Sequence, residues 1–591
     1  MNLYKHVSDA INEKLGFAAN MEVPRNREFG DFSTNAAMVM AKSAGRPPRE
    51  LAGEILPKIA ELDFVADASI AGPGFINIKI KDDFIWSAAN NHYPAGVAGT
   101  PSPAKGNLTI DLDYGSYNVA KALHIGHLRG GIVGDTFYRI AKFLGHKPIS
   151  YNHMGDWGKP MALVIAWIIK KFPNDWNRPD FKIDESEFNG YYPAASAHAK
   201  ENPEFQEQVL IIKKEFQDGR ADYFALYEKM LKISLAMMSD VVRRLNMLPF
   251  DNNLGERNAA LYLEPVEKIL REKNLIEKSD GAEIIVLKRD DDNAPMPPYM
   301  WRDSRGADTY DSTDLAAIYY RKITDNPDRM LYFSDYRQKL HFEQLFRASE
   351  LSGIFPADRL EFPYFGGING ADGKPYKTRS GSVAGLMDMI QTVSDAARAR
   401  VAESGKNLPD DTVDMIALAA LKFNDLIHDV KADYIFDPAS VTSFEGRTGP
   451  YILYTAVRLN SVLKKLEERI AAPRQCAERR AQSEGATDEE GTPATCDLRS
   501  TLCIDERNLL IGILEFQRAV QGAFDNRAPD ILANYTYDLC QLANTFYHNC
   551  PILRDDIPAD IRAQRLHITK IAFDTLATAI DLMGMKIPPE M

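Results

Sequence analysis

Between Asn107 and Gly145 the chain carries a pattern that few folds can house. Leu108, Ile110 and Leu112 alternate with Thr109, Asp111 and Asp113, the period of a strand with two unlike faces. The loop YGSYNVAK follows, and then Ile125, Leu128, Ile132, Ile140 and Leu144 recur at helical spacing up to Gly145. A strand that runs through a short loop into a helix is the first half of a βαβ unit, which buries its apolar surface only within a helix-covered sheet. The helix opens with four glycines, Gly126, Gly130, Gly131 and Gly134. Each costs about 0.8–1.0 kcal/mol relative to alanine in a helix interior. Gly126, Gly130 and Gly134 share one face, so something bulky, sheet or ligand, approaches that face closely.

The rest of the chain supports a multidomain α/β protein. Further strands are expected at 147–152, 283–287 and 330–334, and helices at 312–322 and 340–352. Strands alternating with helices predict a parallel sheet over 101–390. The long, charged, helical pattern from about 172 to 280 reads as a helical insertion into it. Residues 1–100 read as a small α+β domain, with a helix at 34–43 and a strand in GPGFINIKI, where Phe75 is expected in the core. The Pro/Gly/Ala-rich segment 92–106 reads as a linker. Residues 391–591 show almost only helical periodicity, at 413–429, 451–470, 507–524, 531–547 and 561–582, and predict an α-helical bundle. The polar stretch 471–500 reads as a loop interrupting that bundle.

Two histidines bring chemistry to the glycine-rich helix. His124 and His127 stand three apart at its start and project to one side. Backbone N–H groups at a helix N-terminus favour a phosphate. Two imidazole donors beside them can hold the charge that grows on an attacked α-phosphate, and Gly126 between them lets a purine approach the backbone. H-x-G-H directly after a strand and loop therefore predicts a nucleotide site.

This HIGH sequence resembles the signature of class I aminoacyl-tRNA synthetases and related nucleotidylyl transferases. The wider stretch DYGSYNVAKALHIGHLRG is similar to the arginyl-tRNA synthetases in particular. REFGDFSTNAA, HMGDWG, GKPYKTRSG, TGPYILYTAVRL and YTYDLCQLANTFYHNCPIL resemble the same family, in family order, so the likeness spans nearly the whole chain. It implies a Rossmann-like catalytic domain and a two-step reaction. Arginine attacks the α-phosphate of ATP to give arginyl-adenylate, and the arginyl group then moves to the 2′-hydroxyl of the terminal adenosine of tRNA. Mg²⁺ accompanies the ATP. Such chemistry needs positioning and charge stabilisation more than a protein nucleophile.

The resemblance also implies site residues. ATP falls to His124, Gly126, His127, Lys374, Lys377 and Arg379, with Lys121 as a further catalytic cation. A guanidinium calls for forked carboxylates and flat walls, and the family pattern assigns the arginine pocket to Asp113, Asn118, Tyr310, Asp314 and Gln338. The N-terminal domain resembles the unit that touches the tRNA elbow, with Phe84 as a stacking candidate. The C-terminal bundle resembles the anticodon-binding domain, where Tyr454 and Arg458, with Tyr451, offer aromatic and cationic contacts. The chain departs from the family at Ser380, where a loop lysine is usual, at Tyr117, where proline is common, and at 158–160, which reads GKP in place of GTQ. Lys121 is the candidate to replace the missing lysine.

Composition sets the remaining expectations. Net charge is 70 − 83 = −13, which argues against a nonspecific DNA coat but not against RNA, since local basic surface makes the footprint. Cys476, Cys496, Cys503, Cys540 and Cys550 form no CxxC pair and read as reduced thiols, with no zinc site and no disulfide framework. No apolar run reaches membrane-spanning length and the N-terminus lacks a secretory h-region, so a cytoplasmic protein is expected, without membrane partners. No heptad seam stands out, which predicts a monomer. The alternative function from another class is a catalytically silent tRNA-binding relative, against which the intact His124, Gly126 and His127 argue.

Overall fold

The computed structural model describes residues 3–24, 29–92, 107–376, 385–484 and 501–591, with backbone alone for 91–92 and 467–484. The N-terminal unit runs α1 (Leu3–Leu15), β1 (Met21–Glu22), β2 (Phe32–Thr34), α2 (Ala36–Ala44), α3 (Pro48–Ala60), β3 (Val65–Ala71), β4 (Phe75–Ile80) and α4 (Asp82–His92). Leu3, Val7 and Ile11 recur one turn apart on α1 and are buried, as are Leu51, Ile55 and Ile59 on α3. They cover a four-stranded antiparallel sheet of order β1-β2-β4-β3. Along β4, Ile76, Ile78 and Ile80 point into the core. Strict alternation puts Phe75 on the opposite, half-buried face, which corrects its expected place in the core. Most of the expected linker, 93–106, lies outside the described residues.

The central unit contains β5 (Thr109–Asp113), α5 (Gly126–Phe143), β6 (Lys147–Met154), α6 (Lys159–Lys171), α7 (Glu185–Glu201), α8 (Pro203–Gln217), α9 (Ala221–Arg244), β7 (Asn252–Gly255), α10 (Glu256–Ala260) and α11 (Leu263–Glu272). It continues with β8 (Ile276–Ser279), β9 (Ala282–Ile285), β10 (Tyr299–Arg302), α12 (Tyr310–Thr324), β11 (Arg329–Tyr332), α13 (Lys339–Ser352), β12 (Leu360–Glu361) and β13 (Ile368–Asn369). The parallel sheet has the order β12-β11-β5-β6-β7, as the alternation of elements predicts. β5 is its middle strand and is covered on both faces, so Asp111 and Asp113 are buried rather than solvated.

In this central unit two expectations change. The helical insertion ends at Arg244, because β7 returns to the main sheet as an edge strand; its sequence NNLG has a single large apolar residue and gives no strand signal. The strand expected at 283–287 forms as β9, but in a separate antiparallel sheet of order β10-β9-β8. The reason is Asp280-Gly281, both at positive φ (49° and 81°) between the paired residues Ser279 and Ala282. A two-residue turn of that kind closes an antiparallel hairpin.

The glycine face of α5 is explained by packing. A Cβ on Gly134 would lie 2.2 Å from the Tyr114 ring, and one on Gly130 3.2 Å from the Tyr114 carbonyl and 3.4 Å from Phe365. Only Gly126 looks toward the histidines, with a Cβ 2.9 Å from the His124 ring. The C-terminal part comprises α14 (Leu386–Glu403), α15 (Asp410–Leu426), β14 (Tyr434–Ile435), α16 (Pro438–Val441), α17 (Gly449–Glu484), α18 (Ile504–Leu514), α19 (Phe516–Asn526), α20 (Asp530–Asn549) and α21 (Ala559–Leu582). The loop expected over 471–500 is corrected in its first half. α17 continues to Glu484, and 471–484 is rich in Ala, Glu, Arg and Gln, polar in part but strong helix formers. Residues 485–500 lie outside the described residues. The single helix expected at 507–524 breaks at Glu515 into α18 and α19.

Buried ion pairs stitch the parts together. Arg129 on α5 donates to the carbonyls of Gly366 and Ala432, each at 2.9 Å, and its Nε lies 3.0 Å from Asp425 on α15. Arg507 on α18 pairs with Asp31 and Asp82 of the N-terminal unit. No helix among the described residues is long and apolar enough to cross a membrane.

Gly134→Ala should destabilise the protein by about 1–3 kcal/mol, because the methyl must displace a buried tyrosine ring in a close-packed interior. The gain in helix propensity, at most about 1 kcal/mol, does not offset this. A urea midpoint equal to or above that of the wild type would show that the close approach at Tyr114 is not required.

Candidate functional site

The strand order reverses between β11 and β5, and in an open parallel sheet the crevice at such a reversal lies at the carboxyl ends of the strands. The chain leaves β5 through a loop tied down at several points. The N–H of Tyr117 donates to Asn152 Oδ1 at 3.2 Å, that of Val119 to the Gly155 carbonyl at 3.2 Å, and that of Ala120 to Ser234 Oγ at 3.0 Å. These bonds sustain Ser116 (φ 49°) and Ala120 (φ 58°) in the left-handed region, which non-glycine residues rarely adopt. Tyr117 is fully buried and meets the His127 ring edge-on at 5.5 Å.

The two histidine rings stack, 4.0 Å between centroids and 26° between planes. His124 Nδ1 accepts from the Gly126 N–H and His127 Nδ1 accepts from the His124 N–H, each at 3.1 Å. With Nδ1 accepting, the proton of each neutral ring sits on Nε2. Burial, and then the neighbouring His124, pushes the His127 pKa down to about 3; burial, Lys121 and Arg337 lower that of His124. At neutral pH the pair therefore presents two uncharged N–H donors at the start of α5, a setting for an anion that gains charge during reaction. On the other side, Gly385 pairs with His124, and the Leu386 N–H donates to the Leu123 carbonyl at 3.0 Å.

The expected cations are placed unevenly. The Lys121 ammonium rests 4.3 Å from the centre of the Tyr192 ring, on the insertion helix α7. Lys374 is exposed, in a turn where its N–H donates to Asp372. Lys377, Arg379 and Ser380 lie outside the described residues.

At the start of the loop after β5, a cavity of about 240 Å³ is lined by all five residues expected around a guanidinium, namely Asp113, Asn118, Tyr310, Asp314 and Gln338. A larger cavity of about 500 Å³ lies between α9, α14 and α15. The arginines there are already paired, Arg243 and Arg244 with Asp240 and Arg398 with Asp414, and it holds no comparable convergence of groups.

In the smaller cavity Asp113 is pinned by Arg321, which donates to Oδ2 at 2.5 Å and stacks over Tyr151 at 4.2 Å. Asp113 Oδ1 is buried and has no hydrogen-bond partner among the described residues. Asp314 lies between two imidazoles, with His153 Nε2 3.0 Å from one oxygen and His341 Nε2 2.8 Å from the other. Burial alone would raise its pKa, but these two partners hold it well below the ordinary carboxylate range. His341 is raised to about 10, since Asp311 and Asp314 outweigh burial. Burial pushes Glu256, in the cavity lining, up to about 7, and Asp111, fully buried two residues before Asp113 on β5, up to about 8. Tyr310 stands exposed at the mouth, its ring 5.2 Å from that of His341.

His153, Glu256, Arg321 and His341 join the site without having been assigned to it from the sequence. His153 begins HMGDWG, a motif that the sequence singles out, and His341 follows Gln338 by three, inside the helix expected at 340–352. Arg321 follows Asp314 by seven, two helical turns on the same face. Glu256 carries no signal. The RNA candidates sit at surfaces. Phe84 is half-buried and stacks on His6 at 5.5 Å. Arg458 lies 4.6 Å from the Tyr454 ring centre and 5.0 Å from that of Tyr547, and donates to Asn544 at 2.8 Å. Tyr451 is half-buried and accepts from Asn544.

Comparison with known proteins agrees across the whole chain. Residues 99–438 match the family described as tRNA synthetases class I (R), catalytic domain; residues 1–80 match the arginyl tRNA synthetase N terminal domain; residues 452–591 match the DALR anticodon binding domain. The arginine–tRNA ligase of Hyphomonas neptunium is 36% identical over 617 residues, covering 100% of both chains. That of Alkaliphilus oremlandii is 35% identical over 595 residues, covering 98% of this chain and 96% of its own. Among solved structures, the arginyl-tRNA synthetases of Plasmodium falciparum (TM-score 0.79, 22% identity, 100% and 99% covered) and Thermus thermophilus (0.78, 21%, 100% of both) share the fold.

The Asp314–His341 pair has a pH signature. A histidine whose pKa is raised on folding stabilises fully below its ordinary value of about 6.5, and that stability is lost as pH rises through about 10. The Asp314 contribution is present above about pH 4 and fades only as pH falls toward its depressed value. The difference in melting temperature between wild type and His341→Leu should be widest between about pH 4 and 6.5 and should shrink toward pH 10. A pH-independent difference would show that the imidazole is not held as a cation.

Proposed function

The chain belongs to the arginyl-tRNA synthetases, and we propose that the crevice between β5 and β11 is where it activates arginine and passes it to tRNA. The protein is an arginine–tRNA ligase with ATP, arginine and tRNA as substrates. A carboxylate oxygen of arginine attacks the α-phosphorus of ATP, and pyrophosphate leaves. A hydroxyl of the terminal adenosine of tRNA then attacks the carbonyl carbon of the adenylate, and AMP leaves. Mg²⁺ enters with ATP as the counter-ion of its phosphates and is part of that substrate.

The observation that carries the site is the unpartnered Asp113 Oδ1, buried in a cavity that also holds Asp314. A planar cation fills that acceptor, and its other edge exchanges with the imidazoles on Asp314. The Tyr310 ring covers the guanidinium, while Asn118 and Gln338 receive the polar backbone end of the substrate. That end then points toward His124 and His127, whose Nε2 protons hold the α-phosphate as its charge grows. Gly126 leaves room for the adenine. Lys374, Lys377 and Arg379 neutralise the outer phosphates, and Lys121 joins them by leaving the Tyr192 ring. The N-terminal unit, with Phe84, takes the tRNA elbow; Tyr454 and Arg458 take bases of the anticodon arm, each ring or guanidinium offering a stacking face.

Aminoacylation assays with each of the twenty amino acids and total tRNA test the assignment, and charging by arginine alone is expected. His124→Ala and His127→Ala should each slow adenylate formation about 10²–10³-fold at saturating substrates, the cost of one preorganised donor, with arginine affinity unchanged. Wild-type turnover in either variant would remove the histidines from the reaction. Asp314→Asn should weaken arginine binding by about 3–5 kcal/mol, the cost of unpairing a buried charge, and leave the KM for ATP within a few-fold. An unaltered arginine Kd would place the guanidinium elsewhere.

A further inference from the structure

The thiols of Cys503 and Cys550 lie in contact, 3.4 Å between sulfurs, although the residues are 47 apart in sequence. Cys503 is exposed and stands immediately before α18; Cys550 is buried and stands immediately after α20. The two helices pack along each other, and α18 also carries Arg507, the clamp onto Asp31 and Asp82 of the N-terminal unit. We infer that Cys503 and Cys550 form a thiol–disulfide modification site, closed by a small-molecule disulfide and opened by thiols.

The two sulfurs divide the work by their surroundings. Cys503 reaches solvent and takes up the oxidant. Burial, with the Cys503 contact adding to it, raises the Cys550 thiol, which makes it slow to begin exchange but leaves it in place to finish it. The Cys503 thiolate attacks one sulfur of glutathione disulfide; that S–S bond breaks and one glutathione leaves as a thiol, carrying the proton Cys503 gave up. Cys550 then loses its proton, its sulfur attacks Cys503 Sγ, and the second glutathione departs as a thiol with that proton. Two protein thiols are oxidised and one disulfide is reduced to two thiols. Closure needs the sulfurs to approach by roughly 1.4 Å to reach bonding distance.

Glu506 completes a cluster that resembles a metal site, its carboxylate lying with both sulfurs within 4.8 Å. Its oxygens are already engaged by Arg565 at 2.8 Å, Gln564 at 3.3 Å and the Cys503 N–H at 3.0 Å. A carboxylate neutralised by an arginine is a poor ligand, and two cysteines alone fall short of the four ligands of a structural zinc. Cys540 provides the contrast: it is fully buried on α20, raised by burial, and its neighbour is Thr455 rather than a second thiol.

The test uses the full-length protein, reduced, freed of metal with a chelator, and then exposed to graded glutathione disulfide. Free thiols are blocked, and digested peptides are mapped by mass spectrometry. A Cys503–Cys550 linked peptide is expected, together with a rise of roughly 5–10 °C in the melting step of the C-terminal bundle, reversed by dithiothreitol. Cys503→Ser, a change at an exposed position, should abolish both the link and the shift while keeping the melting temperature of the reduced protein. Glutathione retained on Cys503 without closure, or a link from Cys503 to Cys476 or Cys496, would overturn the pairing. So would one equivalent of added zinc that survives gel filtration and protects both thiols, since it would make the cluster a metal site.

Discussion

The ion pair between Asp113 and Arg321 fixes the geometry on which the crevice depends. Both charges are buried, at 5% and 2% exposure, where either alone would be costly and only the pair is tolerated. The guanidinium stacks over Tyr151 of β6 and faces Tyr332 of β11, so one side chain from α12 locks onto three adjacent strands. That lock sets the rotation of α12 about its axis. Asp314, two turns earlier on the same helix, is thereby turned into the cavity, and Tyr310 to its mouth. Asp111 lies on the same strand face as Asp113 and is driven toward its neutral form. The strand beneath the site thus carries less negative charge than its two aspartates suggest.

The histidine end of the crevice depends on a different constraint, the closeness of α5 to the loop after β5. Gly130 and Gly134 let the helix descend onto Tyr114, and the descent holds the His124–His127 stack beside the strand ends. The same helix is held from behind by Arg129, whose partners Gly366, Ala432 and Asp425 lie beyond the parallel sheet. The helix that presents the histidines is therefore anchored to the C-terminal helices as well as to its own sheet.

Much of this is legible in the sequence, and the gaps have physical causes. The β5–α5 unit, the parallel sheet and the helical C-terminal part follow from periodicity, which local burial dictates. The glycine face does signal a close approach, but periodicity cannot say whether a ring or a ligand arrives; at Gly130 and Gly134 it is Tyr114. β7 escapes a reading by pattern because edge strands need few apolar residues. β9 goes to a different sheet because the Asp280-Gly281 turn, a local signal, outweighs the long-range alternation of strands and helices. The five acidic, amide and tyrosine positions expected around a guanidinium emerge through motif likeness and do share one cavity. Their partners His153, His341 and Arg321 do not, because charge compensation is a three-dimensional property: the imidazoles on Asp314 come from β6 and α13, far apart along the chain.

The cradle around Asp314 gives the pocket an internal occupant. With both oxygens engaged by imidazole N–H groups, the carboxylate does not advertise a bare charge to the solvent. A potassium ion or a lysine ammonium, arriving as a point charge, finds that place already filled and gains little by entering. The proposed guanidinium offers several N–H donors at once, to Asp314 and to the Asp113 oxygen that has no partner among the described residues, which a spherical cation cannot do. On the proposed reading of this pocket, discrimination works by substitution of one hydrogen-bonded cation for another, and the imidazoles on Asp314 act as the resting occupants that a guanidinium displaces.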